Sequence, residues 1–128
     1  MLEADWMVAV GEALDWLGWR WIHHRPGRTG SGWVTATQGN AAAGFPDIVA
    51  IRPPRVLFLE LKTDKGRVSP RQEDWLAELK DSRQEAHLIR LPREWDRLMA
   101  LVARDPDQLT FTRSDDVTDP VLGSDNGS

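Results

Sequence analysis

Asp47, Glu60 and Lys62 are residues whose types and spacing could together do chemistry. In the run Val56-Leu57-Phe58-Leu59-Glu60-Leu61-Lys62, side chains of a strand alternate between faces. Glu60 and Lys62 therefore stand side by side, while Leu57, Leu59 and Leu61 share the opposite face. A carboxylate and an ammonium at the end of an apolar strand are costly to half-bury unless they pair or bind something. A lone Glu-x-Lys is most often a plain salt bridge at a strand end. Asp47 argues for more: it opens the preceding β-prone run after Pro46, and a short turn returns the chain toward Glu60. Two carboxylates brought together repel unless a proton or a cation lies between them. The chain has no cysteine, so the cation would be a hard one on oxygen ligands: magnesium, with manganese able to substitute. A lysine beside such a centre can orient an attacking water or stabilise charge on a phosphate in the transition state.

Periodicity indicates the elements that must position these groups. Met7, Val10, Leu14 and Leu17 recur at helical spacing between Leu2 and Gly18, which predicts a first helix stopped by the glycine. Trp19 to His24 and Trp33 to Thr37 are β-prone, and Pro26 to Gly32 between them reads as a flexible connection. A glycine- and alanine-rich loop, Gly39 to Gly44, precedes Phe45-Pro46-Asp47. Ile48 to Ile51 and Val56 to Lys62 then predict a hairpin turned by Arg52-Pro53-Pro54-Arg55. Ser69-Pro70-Arg71-Gln72 carries the marks of a helix start: a serine cap, a proline at the first helical position and a glutamine three residues after the cap. That second helix runs through Trp75, Leu76 and Leu79; a strand follows at His87 to Leu91, and Pro92 is expected to open a third helix through Trp95, Leu98, Met99 and Val102. The predicted order is α-β-β-β-β-α-β-α, a mixed α/β sandwich with helices on a small sheet.

Length and charge bound what such a fold could do. A chain of 128 residues suits one domain, and no apolar stretch approaches the roughly 20 residues needed to span a bilayer. The N-terminus carries acids where a signal peptide carries bases, so a cytoplasmic protein is expected. The net charge of -4 is segregated: residues 1–19 hold four acids and no base, residues 20–71 hold nine bases and three acids, and residues 114–128 hold four acids and no base. Two of the three acids in the basic stretch are Asp47 and Glu60. A basic surface around a small acidic pocket suits a phosphate backbone plus a cation, although a merely solvated basic face has the same composition. Residues 112–128, rich in Ser, Asp, Gly and Asn, are expected to form a disordered acidic tail beyond a domain of residues 1–111.

Gly44-Phe45-Pro46-Asp47, Glu60-Leu61-Lys62 and Gly66-Arg67-Val68-Ser69-Pro70-Arg71-Gln72-Glu73-Asp74-Trp75-Leu76 together resemble the PD-(D/E)XK nuclease superfamily. More narrowly the sequence resembles its virus-type replication-repair nuclease (VRR-NUC) domains, in the short stand-alone form found in tailed bacteriophages, with a restriction-endonuclease-like core. The resemblance implies that Asp47, Glu60 and the Leu61 carbonyl bind Mg2+ or Mn2+ and that Lys62 positions or activates water. It implies that Gln72 faces the site, where residue physics equally allows it only to close a capping box with Ser69. It also implies a glutamate in the first helix. The spacing back from Gly18 picks Glu3, in phase with Met7, Val10 and Leu14, over Glu12 on the opposite side.

Candidates for holding DNA are Arg25, Arg28, Lys65, Arg67, Arg71 and His24; the pair His23-His24 is also an ordinary strand end. Trp33, beside the glycine loop, is a candidate for base stacking, and the remaining tryptophans read mostly as core. Where a glycine is expected after the second helix stands Ser82-Arg83-Gln84, which leaves that turn's geometry open. The expected function is an endonuclease that leaves 5′-phosphate ends. Its expected substrate is branched DNA such as a Holliday junction, cut by a homodimer in the host cytoplasm. A flap or nicking enzyme, or a non-cleaving DNA-binding module of the same fold, is the alternative. A small-molecule hydrolase lacks any Ser-His-Asp or multi-histidine arrangement to support it.

Overall fold

The structure is a computed structural model that describes residues 3–24, 27–29, 32–34, 39 and 43–105, with the backbone alone at 3, 4, 27–29 and 32–34. Its elements are α1 (Glu3–Trp16), β1 (Arg20–His23), β2 (Gly27–Thr29), β3 (Gly32–Val34), β4 (Ile48–Arg52), β5 (Arg55–Thr63), α2 (Pro70–Asp81), β6 (Glu85–Leu91) and α3 (Trp95–Ala103). Four strands form one sheet in the order β1-β4-β5-β6, antiparallel except for the parallel pair β5–β6. A parallel pair needs a crossover, and α2 supplies it. The mixed α/β class is therefore as the sequence indicates.

Alternation along the strands divides the sheet into two faces. Ile48, Ala50, Leu57, Leu59, Ile89 and Leu91 point to one of them and are buried with Val10 and Leu14 of α1, Trp19, and Leu98, Leu101 and Val102 of α3. Each such side chain contributes about 1.5 to 3 kcal/mol by leaving water. Phe58, Glu60 and Lys62 point to the other face, which α2 covers in part. Phe45 stands edge-on to Phe58 at 6.2 Å and to Trp75 of α2 at 5.0 Å, tying helix to sheet. Trp16 departs from the expectation that the tryptophans are mostly core, being 89% exposed.

Two sequence expectations need correction. Part of the stretch read as a flexible connection is β2, which pairs with β3 through Gly27↔Val34, Arg28↔Trp33 and Thr29↔Gly32, so a fifth strand precedes α2. Runs of three residues that include glycine are too short to show a period. The third helix begins at Trp95 rather than Pro92: the Arg90 N–H donates to the Glu94 carboxylate at 2.7 Å and the Glu94 N–H to the Arg90 carbonyl at 2.7 Å, holding residues 92–94 as a turn against the end of β6. The strand expected to run to Thr37 is described only to Val34, and the tail expected over 112–128 lies outside the described residues.

The turn after α2 resolves its missing glycine. Arg83 takes the left-handed conformation, with φ of 64°, while its N–H donates to the Lys80 carbonyl and that of Gln84 to the Leu79 carbonyl. This is the Schellman closure that glycine usually makes, held by a residue whose Cβ disfavours it. Arg83 is exposed. Arg83→Gly is expected to raise stability by about 1 kcal/mol in thermal or urea denaturation; an unchanged or lower midpoint would show that the arginine side chain offsets the strain.

Candidate active site

The β4–β5 register carries the site. Ile48 pairs with Leu59, so Asp47, one residue before β4, lies across from Glu60. One Asp47 carboxylate oxygen, Oδ2, accepts the Leu61 N–H at 3.0 Å, continuing the ladder past the end of β4 with a side chain. A strand residue's N–H and C=O face the same neighbour, so the Leu61 carbonyl is directed to this open side as well. Asp47 is half-buried, whereas Glu60 is 1% exposed.

Glu60 divides its two oxygens. Oε2 accepts from Gln72 Nε2 at 2.9 Å and lies 3.6 Å from Lys62 Nζ. Oε1 is buried and has no hydrogen-bond partner among the described residues. Burial pushes the Glu60 carboxyl up, the Asp47 carboxylate adds to that, and the Lys62 ammonium, with a smaller contribution from the Asp47 N–H, only partly opposes it, bringing it to about 7. The alternation that put Lys62 beside Glu60 is thus realised at ion-pair distance, but the pair does not satisfy the carboxylate. A buried oxygen without a donor, facing a second carboxylate, is a place for a cation or a proton. Among the described residues no group of three or more His, Cys, Asp and Glu assembles, and the donors they offer here are two carboxylates and the Leu61 carbonyl. Such a set fits Mg2+, which takes one or two carboxylates and fills its remaining positions with water and substrate phosphate.

Gln72 does both of the things that its position left as alternatives. Its Oε1 accepts the Ser69 N–H at 2.9 Å and the Ser69 Oγ accepts the Gln72 N–H at 3.2 Å, closing the capping box. Its Nε2 is thereby aimed at Glu60. Ser69→Ala removes the cap and should cost about 1 kcal/mol of stability with little effect on cleavage. Gln72→Glu keeps an oxygen for the cap but sets a carboxylate against Glu60. Losing a charge-assisted hydrogen bond of roughly 1.5 to 3 kcal/mol should slow cleavage about tenfold or more. Denaturation and DNA cleavage measured on both variants separate the two roles.

Gly44 explains the glycine that precedes Phe-Pro-Asp. It has φ of 87°, and a Cβ there would meet the Arg71 backbone at 2.7 Å. The loop therefore passes directly against the first turn of α2, which fixes Gln72 relative to Asp47.

The remaining candidates scatter. Glu3 opens α1 in phase with the core stripe, but its side chain lies outside the described residues; Glu12 is exposed. His24 borders the site, its N–H donating to the Asp47 carbonyl at 2.6 Å and its ring edge-on to Phe45 at 6.5 Å. Lys65, Arg67 and Arg71 are exposed between the end of β5 and the first turn of α2. Arg25 and the side chains of Arg28 and Trp33 lie outside the described residues. Sequence reading missed Arg90: paired with Lys62 across β5–β6, it donates to the carbonyls of Thr63 at 2.9 Å and Gly66 at 2.7 Å, bracing the loop that carries Lys65. An arginine inside an otherwise apolar strand was the available signal.

The family model for the VRR-NUC domain matches residues 4–90, a span that includes Asp47, Glu60, Lys62 and Gln72. No curated protein and no solved structure matches the chain.

Proposed function

This chain belongs to the VRR-NUC domain family and is a nuclease acting on DNA; we propose that it is a Mg2+-dependent endonuclease with a PD-(D/E)XK core, of the stand-alone phage type, which leaves 5′-phosphate ends. The observation that carries the reading is the buried Glu60 Oε1 across from Asp47, unpartnered among the described residues. Asp47, Glu60 and the Leu61 carbonyl would hold the metal, with Glu3 as a further ligand. The metal, when bound, supplies Lewis-acid polarisation of the phosphate and charge neutralisation, and Mn2+ should substitute.

The chain's own residues do the rest. Lys62, kept beside Glu60 at 3.6 Å, is placed to orient the attacking water and to stabilise charge on the phosphate oxygens. The water oxygen bonds to phosphorus, the bond to the 3′ oxygen breaks, and that oxygen takes up a proton, giving a 3′-hydroxyl and a 5′-phosphate. Gln72 holds the Glu60 carboxylate in one orientation. Lys65, Arg67, Arg71 and His24 border the path of the phosphate backbone, with Arg25 and Arg28 proposed to join them, and phosphate contacts set register without reading sequence. A shape-selective enzyme on branched DNA follows, cutting a four-way junction twice as a two-fold dimer in the cytoplasm of the host cell.

The test compares labelled four-way junction, flap, single-stranded and linear DNA with Mg2+, using wild type, Lys62→Ala and Asp47→Asn, which keeps an acceptor for the Leu61 N–H. Magnesium-dependent cleavage, strongest on the junction and lost in both variants, is expected. Equal cleavage by the variants would remove these residues from the site. Binding without cleavage by the wild type would make the chain a DNA-binding module.

A further inference from the structure

On the side of β6 away from β5, between the C-terminal end of α2 and α3, lies a cleft of about 460 Å³. Its charged lining is Lys80, Glu85, Arg97 and Arg104, with His87 among them. The one carboxylate is spoken for: Glu85 accepts from Arg55 Nη2 at 2.6 Å and from Arg55 Nε at 2.9 Å. Arg97 divides its guanidinium between Glu94, at 3.6 Å, and the Leu88 carbonyl, at 2.9 Å, but with Lys80 and Arg104 it still makes three cations lining one cleft, in a chain whose net charge is -4. Their mutual repulsion is felt by His87, whose proton is pushed off by burial first and then by Arg97, Lys80 and Arg104 against the pull of Glu85. Like charges gathered in a concave surface concentrate a field that an anion relieves.

The cleft stands apart from the site already described. Gln72 at one end of α2 reaches Glu60, and Lys80 near its other end lines the cleft, about 12 Å away at 1.5 Å of rise per residue. Between them the solvent side of α2 exposes Glu73, Asp74 and Glu78, and Asp81 follows just beyond Lys80 on the same ridge. A straight duplex laid along that ridge would set its phosphates against four carboxylates. A strand arriving from another direction would not.

We infer that the cleft lined by Lys80, Arg97 and Arg104 holds a backbone phosphate of a second DNA arm, one that leaves the cleaved arm before the acidic ridge of α2. This rests on the DNA-cleaving reading and adds to it a reason for preferring branched substrates. A phosphate seated there would be neutralised chiefly by Lys80 and Arg104, with Arg97 shared with Glu94, and would also ease the proton back onto His87.

The variant Lys80→Gln/Arg104→Gln removes two charges while keeping most of the side-chain bulk. Binding of a four-way junction and of a matched linear duplex is measured by fluorescence anisotropy over a salt series without divalent metal, with circular dichroism to establish folding. Junction affinity should fall roughly tenfold or more, and the slope of log K against log salt should be shallower by about 1, the share of the one phosphate held there, with duplex binding unchanged. Arg97→Gln, measured alone, should show about half that change in slope. An unchanged junction slope in folded variants, or an equal loss on duplex and junction, overturns the inference. So does a His87 imidazole signal that shifts with inorganic phosphate but not with junction DNA, since the phosphate would then come from another source. If the wild type cleaves no DNA with Mg2+ while the junction slope still changes, the cleavage reading fails and the cleft stands.

Discussion

Glu60→Gln is expected to abolish magnesium-dependent cleavage while making the metal-free protein more stable. The two effects have one origin. Glu60 is 1% exposed, has an oxygen with no donor among the described residues, and is held up at about 7 by burial and by Asp47. The folded protein therefore binds a proton there more tightly than the unfolded chain, whose carboxyl titrates near 4.5. A raised carboxyl contributes its full stability below the unfolded value, and that contribution is lost as pH rises through about 7. Metal-free wild type should become less stable between those limits, whereas Glu60→Gln, which cannot ionise, should lack that slope. At pH 8 the variant should be more stable by about 2 kcal/mol, a fraction of the full shift because the native state relaxes around a buried charge. Magnesium should raise the midpoint of the wild type by mass action and leave the variant's nearly unmoved. Cleavage should fall by roughly a thousandfold or more, since removing one preorganised charged group in a dry site costs about 3 to 4 kcal/mol. Thermal denaturation across pH, with and without Mg2+, together with a cleavage assay, checks all of this. A variant less stable than wild type at pH 8 would show that Glu60 is a structural ion-pair member.

Arg55→Ala is expected to be the most destabilising single change among the residues described. The guanidinium is 3% exposed and lies 5.0 Å from the Trp19 ring centroid. It donates to both Glu85 oxygens, to the Leu101 carbonyl at 3.1 Å and to the Arg104 carbonyl at 2.8 Å. Truncation would leave the Glu85 carboxylate without its guanidinium and take one donor from each of the Leu101 and Arg104 carbonyls, at the joint between the hairpin, β6 and the end of α3. Breaking a buried pair from one side costs about 3 to 5 kcal/mol, a large part of the roughly 5 to 15 kcal/mol that holds a domain folded. Arg55→Ala should therefore be partly unfolded near 37 °C. Arg55→Met combined with Glu85→Met should recover part of the loss by leaving no uncompensated charge. Urea denaturation of the single and double variants gives the comparison, and a loss under 1 kcal/mol for Arg55→Ala would place the stability elsewhere.

These two residues also show what a sequence displays and what it conceals. Glu60 was legible because a strand has a period of two and the hairpin turn is short, so that its neighbours Lys62 and Asp47 followed from counting. Gln72 was legible in each of its roles separately, but not in both at once, since one amide group can serve two partners only when its rotamer is known. Arg55 was not legible at all. Next to two prolines it looks like a turn residue, and arginines are usually exposed. Its burial follows from Trp19, Glu85 and the end of α3 converging from 30 or more residues away, as its hydrogen bond to Glu85 at a separation of 30 illustrates. Arg52 was hidden for the same reason, donating to the Leu17 and Arg104 carbonyls while lying 5.1 Å from the Trp19 ring centroid. Two of the nine bases in the basic stretch thus hold the fold together, and the surface offered to DNA is smaller than the charge count implied.

The hairpin has a consequence for how such chains can change length. Asp47 and Glu60 belong to different strands, and their meeting depends on the ladder from Ile48↔Leu59 to Arg52↔Arg55 closing around Pro53-Pro54. A single residue inserted within β5 would rotate Glu60 and Lys62 into the oily side of the sheet and bring Leu59 to the catalytic side, erasing activity at one stroke. One residue added to each strand, on opposite sides of the turn, would merely lengthen the ribbon and leave the two carboxylates opposed. Drift in this segment should consequently proceed by balanced pairs of insertions or deletions.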